Sequence, residues 1–436
     1  MPVLPVKKGD RVTVEIEDMG HSGDGVARYL GYVLFVPFTA PGDEAEVEVI
    51  STGSRFGRAV LHRLLKPSWA RVRPVCPYFG RCGGCQLQHL DDEAERAQKQ
   101  KWVTTTLGRI AGLAGVPVGT PRSGPRYGYR ERVRLTPVSD DESVTLGFHR
   151  ADGAGCLPIE RCDLQAETNN QVMGALAEHP VVDRQLGGVT LRARPGGTSI
   201  LFTTRARTIA ADAYAALALD LADRIPYLKA VHLKTPADPN PWWVWGDDHL
   251  FEAVDGLLVR TSPGVFTQVN RALVPALYRD VIEAGEITSE HTVFDVFSGV
   301  GILSALVGRD TGARVMGVEW DPRAVEDAEY NAQLNDLPHV THYQADAAVG
   351  VEALLEVGER PDVILLDPPR SGCSEALLDV LMRASPSRLV YVACHLGTWA
   401  RDLGYLTEGG WEVARVQPVD LFPQTAHVEV VSVLRR

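Results

Sequence analysis

The sequence has no long apolar run and no early segment of the kind that exports a chain. No stretch approaches the roughly 20 apolar residues that span a bilayer. The acidic residues Asp10, Glu15 and Glu17 stand near the start, where a secretory signal would be basic and then apolar. We therefore expect a cytoplasmic protein with no membrane partner, and its 436 residues predict about two or three domains.

Cysteine is scarce, and its placement is uneven. The chain has seven cysteines, an odd number, and Cys76, Cys82 and Cys85 lie within one short segment. In a chain without an export signal, this pattern speaks against a disulfide framework and favours metal binding or catalysis. Iron–sulfur clusters and zinc both take four thiolates, so the spacing alone leaves the two equal, and Cys162 is the best candidate for the fourth ligand.

Basic residues are fewer than acidic ones, and the formal net charge is −12. This charge argues weakly against a nucleic-acid partner. RNA binding depends on a local field rather than on this average. Two basic clusters could supply such a field, and Tyr127 and Tyr129 interrupt the second. The clusters are Arg55, Arg58, Arg63, Lys66, Arg71 and Arg73, and then Arg122, Arg126, Arg130, Arg132 and Arg134. Basic residues beside aromatic ones can bind an RNA backbone and stack bases, but a solvated face is an equal alternative.

The order of the predicted elements divides the chain into three. Residues 1–67 contain short alternating strands separated by Gly and Pro turns, which indicates a small oligonucleotide-binding type of barrel. Residues 68–261 begin with a predicted helix near 91–110, which could pack on the catalytic domain, and continue mostly as strands with an Ala-rich helix near 210–222. Residues 262–436 alternate short apolar strands with helices, which predicts a doubly wound α/β domain.

In this last region, acids follow four successive predicted strands. The dinucleotide spacing of three glycines is missing after the first strand, and so is a phosphate-binding Lys motif. Instead, Asp295, Glu319, Asp346 and Asp367 come at or just after the strand ends, where such sheets bind ligands. Any one of these acids could be a helix cap or a surface charge. Together they predict an S-adenosylmethionine site, in which one acid accepts both ribose hydroxyls.

A nucleophile and a base are predicted near the end of the chain. Cys394 ends a predicted strand, a position that favours a nucleophile over a buried structural thiol. Cys373 is the alternative nucleophile, although it lies too late in its segment to match RNA cytosine methyltransferases. Glu429, followed by two valines, is a candidate base in an apolar surround, with His427 as its rival.

These residues together resemble the family of uridine carbon-5 RNA methyltransferases over almost the full chain. The segment 391–394 and the later 398–402 resemble its nucleophile segment, and 420–429 resembles its base segment. Residues 367–370 resemble its substrate-side loop, and 266–270 resembles a stretch just before the catalytic domain. The nucleophile segment departs from the family pattern at one place. After Cys394 the chain has His395 and Leu396, where the family usually has a small polar residue and a proline.

The resemblance implies a fold and a set of site residues. The fold is a Rossmann-like methyltransferase domain, a central mostly-β iron–sulfur domain and an N-terminal barrel of the RNA-binding TRAM type. The resemblance favours a [4Fe–4S] cluster over zinc, and Cys162 over Cys156 as the fourth ligand. It makes Cys394 and Glu429 the catalytic pair, and the cofactor would contact Gln268, Phe297, Ile302, Glu319, Asp346 and Asp367.

The function that follows is methyl transfer from S-adenosylmethionine to carbon 5 of a uridine, through a covalent bond to Cys394. We expect ribosomal RNA, and 23S in particular, as the first choice of substrate, tRNA as the second, and a monomeric enzyme. Two other classes stay open. A cluster-containing RNA-binding protein would not need Cys394 or Glu429, and a small-molecule methyltransferase would not need the barrel or the Arg clusters.

Overall fold

A computed structural model describes residues 4–139, 144–178, 185–207 and 211–436 of the chain. The predicted domains 1–67 and 68–261 and the predicted Ala-rich helix each include a few residues outside this set. The chain forms two compact units. The first contains the chain up to Trp102 together with 148–157 and 422–427, and the second contains 103–147, 158–421 and 428–436.

The N-terminal strands close into a barrel in the order β1-β2-β3-β5-β4. They are β1 (Arg11–Met19), β2 (Gly25–Tyr29), β3 (Tyr32–Val36), β4 (Glu44–Thr52) and β5 (Phe56–Lys66). Alternate residues of each strand point inward, so Val14, Ile16, Leu34 and Val47 belong to one buried cluster. This period of two is the pattern expected of strands with one wet face, and it confirms the predicted barrel.

A mixed sheet with helices forms the middle of the chain. Its elements are α1 (Asp92–Ile110), β6 (Arg132–Ser139), β7 (Val144–His149), β8 (Cys156–Pro158), α2 (Glu167–Glu178), β9 (Leu186–Arg194), β10 (Gly197–Thr204), α3 (Ala211–Arg224), β11 (Leu228–Thr235) and β12 (Asp238–Gly246). The strand order is β12-β11-β10-β9-β6-β7-β8. Helix α2 was not predicted from the sequence. A hairpin of β13 (Leu250–Val254) and β14 (Leu257–Thr261) follows.

The C-terminal region is a seven-stranded sheet with helices between its strands. The elements are α4 (Val274–Gly285), β15 (Thr292–Val296), α5 (Ile302–Thr311), β16 (Arg314–Glu319), α6 (Pro322–Leu334), β17 (Val340–Gln344), α7 (Ala347–Glu356), β18 (Val363–Leu366), α8 (Glu375–Ala384), β19 (Arg388–Ala393), α9 (Leu396–Glu408), β20 (Glu412–Val419) and β21 (Glu429–Arg435). Strands β15 and β18 are apolar and buried almost throughout, as expected for parallel strands covered on both faces.

The topology of this sheet brings the predicted site residues to one edge. The order is β17-β16-β15-β18-β19-β21-β20, and the first five strands are parallel. Their carboxyl ends therefore share an edge, and the start of the antiparallel β21 lies at that same edge. The predicted doubly wound α/β domain is confirmed. Among the described helices, none is both long and apolar enough to cross a bilayer.

Candidate active site

The loop between β15 and α5 depends on backbone conformations that most side chains avoid. Phe297, Gly299 and Gly301 all have positive φ, at 71°, 54° and 75°. A side chain on Gly301 would also lie 2.8 Å from the His342 ring, so glycine is required there on two counts. The loop turns sharply after the strand, leaves Phe297 half-buried and starts α5 at the buried Ile302.

Glu319 ties this loop to the end of the next strand. One carboxylate oxygen accepts the Gly299 amide at 3.0 Å, and the other accepts the amides of Trp320 and Asp321 at 2.8 and 2.9 Å. Three backbone donors therefore hold the side chain in one orientation, while a carboxylate retains further lone-pair sites for a ligand.

Asp346 follows β17 and caps a helix. A helix cap was the alternative to ligand binding for any one of the four acids. The Asp346 side chain caps α7 by accepting the amide of Ala348 at 3.0 Å, and the residue is exposed. Both capping hydrogen bonds go to the same carboxylate oxygen, so capping does not use the other one. Asp346 can therefore cap the helix and contact a ligand together.

Asp295 and Asp367 are two carboxyl groups at this edge of the sheet, and the charge of Asp295 acts on Asp367. Asp295 is buried and accepts a 2.5 Å hydrogen bond from the Ser304 hydroxyl, and burial raises its pKa to about 6. Burial and then the charge of Asp295 raise the pKa of Asp367 to about 7, although the Gln268 amide donates to it at 3.4 Å. Gln268 and Asp367, both predicted cofactor contacts, are thus hydrogen-bonded neighbours.

Cys394 and Glu429 meet where β19 and β21 pair. Ala393 lies opposite Val430 in the ladder, so the next step of the antiparallel register brings Cys394 alongside Glu429. Glu429 is 3% exposed, and its Oε2 atom has no hydrogen-bond partner among the described residues. Burial first, and then the charge of Asp367, raises its pKa to about 8. Burial first, and then both carboxylates, raises the pKa of the Cys394 thiol to about 12.

Arg370 is the cation that opposes these shifts. Its charge lowers the pKa of both Cys394 and Glu429. Tyr278, on α4, is a neighbour that sequence reasoning missed. It is buried, and its pKa is raised by burial and then by the charges of Asp367 and Asp295. A tyrosine on an apolar helix face resembles a core residue, so no sequence signal distinguishes it.

The two rival residues lie in different surroundings. Cys373 is buried, with its thiol 3.7 Å from the Tyr391 hydroxyl and its amide donating to Asp402 at 2.8 Å. Burial raises the pKa of this thiol to about 12. His427 is exposed in the first unit, where its ring packs edge-on against Phe422 at 5.9 Å.

The cysteine-rich segment is a series of tight turns in the first unit. The amide of Gly84 donates to the Cys82 sulfur at 3.4 Å, and the Gln88 side-chain amide donates to the Cys85 sulfur at 3.3 Å. Burial raises the pKa of Cys82. Within the described ranges, no group of three or more His, Cys, Asp or Glu side chains is arranged to hold a metal ion. The predicted iron–sulfur domain therefore stays a prediction.

The fourth predicted ligand lies in the second unit. The Cys162 amide donates to the Asn170 side chain at 2.9 Å, and the Asn170 amide group donates back to the Cys162 carbonyl at 3.1 Å. This pair of bonds fixes the backbone at Cys162. Cys156, the residue that the resemblance set aside, has its sulfur 3.5 Å from the His149 ring.

In each basic cluster, one arginine is paired with a buried aspartate. Arg71 is held by Asp43 in a buried pair at 2.8 Å, and Arg122 is paired with the buried Asp280. These two arginines contribute little to an outer field. The other members of the first cluster are exposed, namely Arg55, Arg58, Arg63 and Lys66 on or next to β5, and Arg73 further along the chain.

Comparison with known proteins agrees with this architecture. Residues 5–61 match the TRAM domain, and residues 253–436 match the family described as tRNA (Uracil-5-)-methyltransferase. An "Uncharacterized RNA methyltransferase" of Halalkalibacterium halodurans is 34% identical over 455 residues, which cover 99% of this chain and 98% of the relative. A second, from Bacillus cereus, is 33% identical with the same coverage.

A solved structure matches along the whole chain as well. It is the Pyrococcus abyssi tRNA (uracil-54, C5)-methyltransferase in complex with S-adenosyl-L-homocysteine. Its TM-score is 0.75 at 25% identity, and the match covers 97% of this chain and 99% of that one. The chain therefore belongs to the family of TRAM-containing, S-adenosylmethionine-dependent RNA (uracil-5-)-methyltransferases.

Proposed function

We propose that this enzyme methylates carbon 5 of a uridine in RNA through a covalent bond between the Cys394 sulfur and carbon 6 of the base. The observation that carries the proposal is the pairing of Cys394 with Glu429 at the ligand-binding edge of the sheet. A buried carboxyl with one oxygen unpartnered among the described residues has lost its solvation without a protein partner in return. Such a carboxylate is well placed to accept a proton from the substrate.

The chemistry follows from what each group can do. The Cys394 thiolate bonds to carbon 6, and the electron pair of the 5,6 double bond moves into the ring as an enolate. Carbon 5 then takes the methyl group from the sulfonium of the cofactor. Glu429 removes the proton left on carbon 5, the double bond re-forms, and the sulfur leaves as thiolate. Arg370 favours both ionised forms. The base must leave its stack to reach this pocket.

The cofactor supplies an electrophilic methyl group on a positively charged sulfur. We assign its contacts to Gln268, Phe297, Ile302, Glu319, Asp346 and Asp367. The surplus of carboxyl groups at this edge suits a cation. The match to a solved relative that holds S-adenosyl-L-homocysteine supports this assignment.

The target RNA is the next part of the proposal. The solved relative is named for a tRNA, whereas a TRAM barrel combined with a cysteine-rich segment led us to ribosomal RNA, and to 23S in particular. Mapping 5-methyluridine in a strain that lacks the gene decides between them. Loss of the base from tRNA alone would reject the ribosomal assignment. Our expectations of a monomer and of a cytoplasmic location stay predictions.

The cysteines form a separate proposal. The thiol donors and the two N–H···S hydrogen bonds at Cys82 and Cys85 are compatible with a [4Fe–4S] cluster on Cys76, Cys82, Cys85 and Cys162. Protein purified without oxygen should be brown and contain iron and sulfide. Cys82→Ser and Cys162→Ser should lose the colour, while the control Cys156→Ser keeps it. A colourless protein with stoichiometric zinc would reject the cluster.

The covalent step has its own test. Glu429→Gln keeps the size of the side chain but cannot accept a proton, so it should add the thiolate, transfer the methyl group and then stall. Incubation with RNA and S-adenosylmethionine should give a denaturation-resistant protein–RNA band for Glu429→Gln and none for Cys394→Ala. Cys373→Ala is the matched control and should keep wild-type tritium release from carbon 5. If Cys373→Ala abolishes the band instead, the nucleophile is wrong, and wild-type turnover by Glu429→Gln would move the base elsewhere.

A further inference from the structure

The central sheet has one apolar face and one polar face. Val133, Leu191 and Ile200 are buried cross-strand partners on one face, where Phe202 also packs on Tyr214 of α3 at a ring distance of 5.3 Å. The opposite face presents polar residues at the alternate positions of the same strands. Arg132 lies directly opposite Arg192, and Arg192 lies opposite Ser199. The polar face is therefore a row of adjacent hydrogen-bond donors.

A cleft opens on this polar face. It encloses about 300 Å³ of empty space, including its opening to solvent. Four strands supply its polar residues, and the turn after β14 forms its other wall. The lining includes Arg132, Thr190, Arg192, Ser199, His232 and Pro263.

The guanidinium of Arg192 is only partly satisfied. The residue is 6% exposed, and one terminal nitrogen donates to the Val265 carbonyl at 2.6 Å and to the Thr267 hydroxyl at 3.1 Å. The other terminal nitrogen has no hydrogen-bond partner among the described residues. A buried, unsatisfied donor on a cation costs free energy, and a ligand that accepts from it would remove that cost.

Nearby carboxylates offset the charge of the pair only in part. Glu131 and Glu252 both form ion pairs with Arg194, at 3.2 and 2.9 Å, and act on Arg192 without bonding to it. In the part of the chain that the structure describes, neither Arg132 nor Arg192 has an ion pair. Burial, and then the charge of neighbouring arginines, lowers the pKa of Arg192 against the smaller opposing effect of Glu252 and Glu131, and burial also lowers the pKa of Arg132. Two like charges placed opposite each other are unfavourable unless an anion joins them.

We propose that this cleft binds a backbone phosphate of the RNA substrate, held between Arg132 and Arg192. The inference rests on the proposed function, since it takes RNA to be the substrate. Planar guanidinium groups match phosphate oxygens with paired hydrogen bonds. The source of the phosphate is indicated by Trp243, which lies opposite His232 on the same face and is 61% exposed. An exposed indole beside a phosphate site suits stacking of a base and has no use for free phosphate.

Binding of a short single-stranded oligouridylate to the full-length protein, measured at several salt concentrations, tests the cleft. Arg132→Gln should weaken binding on the order of tenfold and reduce the salt slope by about 0.7, the value for one single-strand phosphate that is no longer neutralised. Trp243→Ala should weaken oligouridylate binding but leave any binding of inorganic phosphate unchanged. The charge-matched control is Arg224→Gln on α3, whose partner Asp220 lies one turn away, and it should bind as wild type does.

Thermal unfolding separates a binding role from a structural one. Arg132→Gln removes the half-buried member of two opposed charges and leaves the buried Arg192, so its melting temperature should stay the same or rise. A lower melting temperature with unchanged RNA affinity would make the arginine pair structural and overturn the proposal. Unchanged RNA affinity with lost phosphate binding would assign the cleft to a free anion, which also overturns it. A wild-type protein that binds no RNA contradicts the proposed function itself, whereas equal binding by wild type and variant contradicts the cleft alone.

Discussion

Four ionisable side chains at the carboxyl edge of the sheet, those of Asp295, Asp367, Cys394 and Glu429, have their pKa values moved toward the neutral form. Burial is the largest cause for each of them, and repulsion from neighbouring carboxylates adds to it, from Glu319 for Asp295 and from within the group for the other three. A site in this state attracts positive charge, because a cation favours every one of the ionised forms. The sulfonium of the cofactor brings such a charge, so its binding should prepare the thiol and the base for reaction.

The first prediction concerns Arg370, which lowers the pKa of Cys394 and Glu429. The base must be ionised to accept a proton after methyl transfer, so kcat of the wild type should rise with pH through about 8. Arg370→Met should raise both pKa values and move this limb to higher pH. On the limb, the rate falls roughly tenfold for each unit that the pKa rises.

Two comparisons make that prediction specific. Arg370→Lys keeps the positive charge and should keep most of the wild-type pH profile, and the activity of Arg370→Met should recover as the pH is raised. A loss of equal size at every pH would show that Arg370 acts through substrate contact rather than through these two groups.

The second prediction concerns stability at Glu429. Its folded pKa of about 8 lies above the ordinary 4.5, so the neutral form stabilises the fold. That stabilisation is complete below about 4.5 and is lost as the pH rises through about 8. Glu429→Gln mimics the neutral form. At pH 9 its free energy of unfolding should exceed that of the wild type by on the order of a few kcal/mol, and its melting temperature should be higher. Near pH 5 the stabilities of the two proteins should converge. An equal difference in stability at both pH values would show that ionisation of Glu429 does not affect folding.

At the scale of elements, the barrel and the strand–helix alternation of the C-terminal domain could be predicted, because each strand carries its own period and its own flanking turns. Helix α2 could not, since its buried positions include Asn169 and Asn170 and read as polar. Those amides donate to the carbonyls of Glu131 and Cys162, so their burial depends on partners outside the helix. The same limit applies to Cys394 and Glu429, whose contact depends on the pairing of β19 with β21.

Helix α1 also supports an element that sequence patterns do not connect with it. Glu95 and Lys99 form a buried pair at 2.9 Å inside the first unit. Lys99 donates to the Phe422 carbonyl at 3.2 Å, and Glu95 accepts the Gln424 amide at 2.6 Å. The Gln424 carbonyl in turn accepts the amides of Gln86 and Leu87, which follow Cys85 directly. The cysteine-rich segment and the residues leading to Glu429 are therefore one hydrogen-bonded assembly, in which buried charges are costly to break singly.

The third prediction compares two glycines of the β15–α5 loop. Gly301→Ala places a Cβ 2.8 Å from the His342 ring and 2.9 Å from Ala328 at a φ of 75°. It should lower the free energy of unfolding by more than the roughly 1–2 kcal/mol of left-handed backbone strain alone, and it should weaken cofactor binding. Gly299→Ala has the same kind of φ with open space around it, so only the strain should appear. Calorimetry of the two variants, with and without S-adenosylmethionine, measures both effects. Equal decreases in stability and in cofactor affinity would mean that the His342 side chain moves aside at no cost.

At the scale of the whole molecule, charge is unevenly distributed. The net charge of −12 would repel RNA if it were spread evenly, yet the barrel presents a row of exposed cations on and beside β5. The barrel also has its own buried cluster, so its surface can be changed without disturbing the rest of the chain. RNA anchoring and methyl transfer should therefore be separable by mutation.

The last prediction uses that separation. Replacing Arg55, Arg58 and Lys66 with glutamine removes three exposed positive charges while retaining the strand and its inward-facing residues. RNA affinity should fall, and the slope of affinity against salt should become smaller by about 0.9 for each duplex phosphate that is no longer neutralised. S-adenosylmethionine affinity should not change, because no cofactor residue lies in the barrel. The control replaces Arg11 and Arg28, which are also exposed on the barrel but are paired with Glu48 and Glu17, and it should have a smaller effect. Equal RNA affinity and an equal salt slope in the triple variant and the wild type would show that the barrel does not anchor the RNA and that the anchor lies elsewhere on the chain.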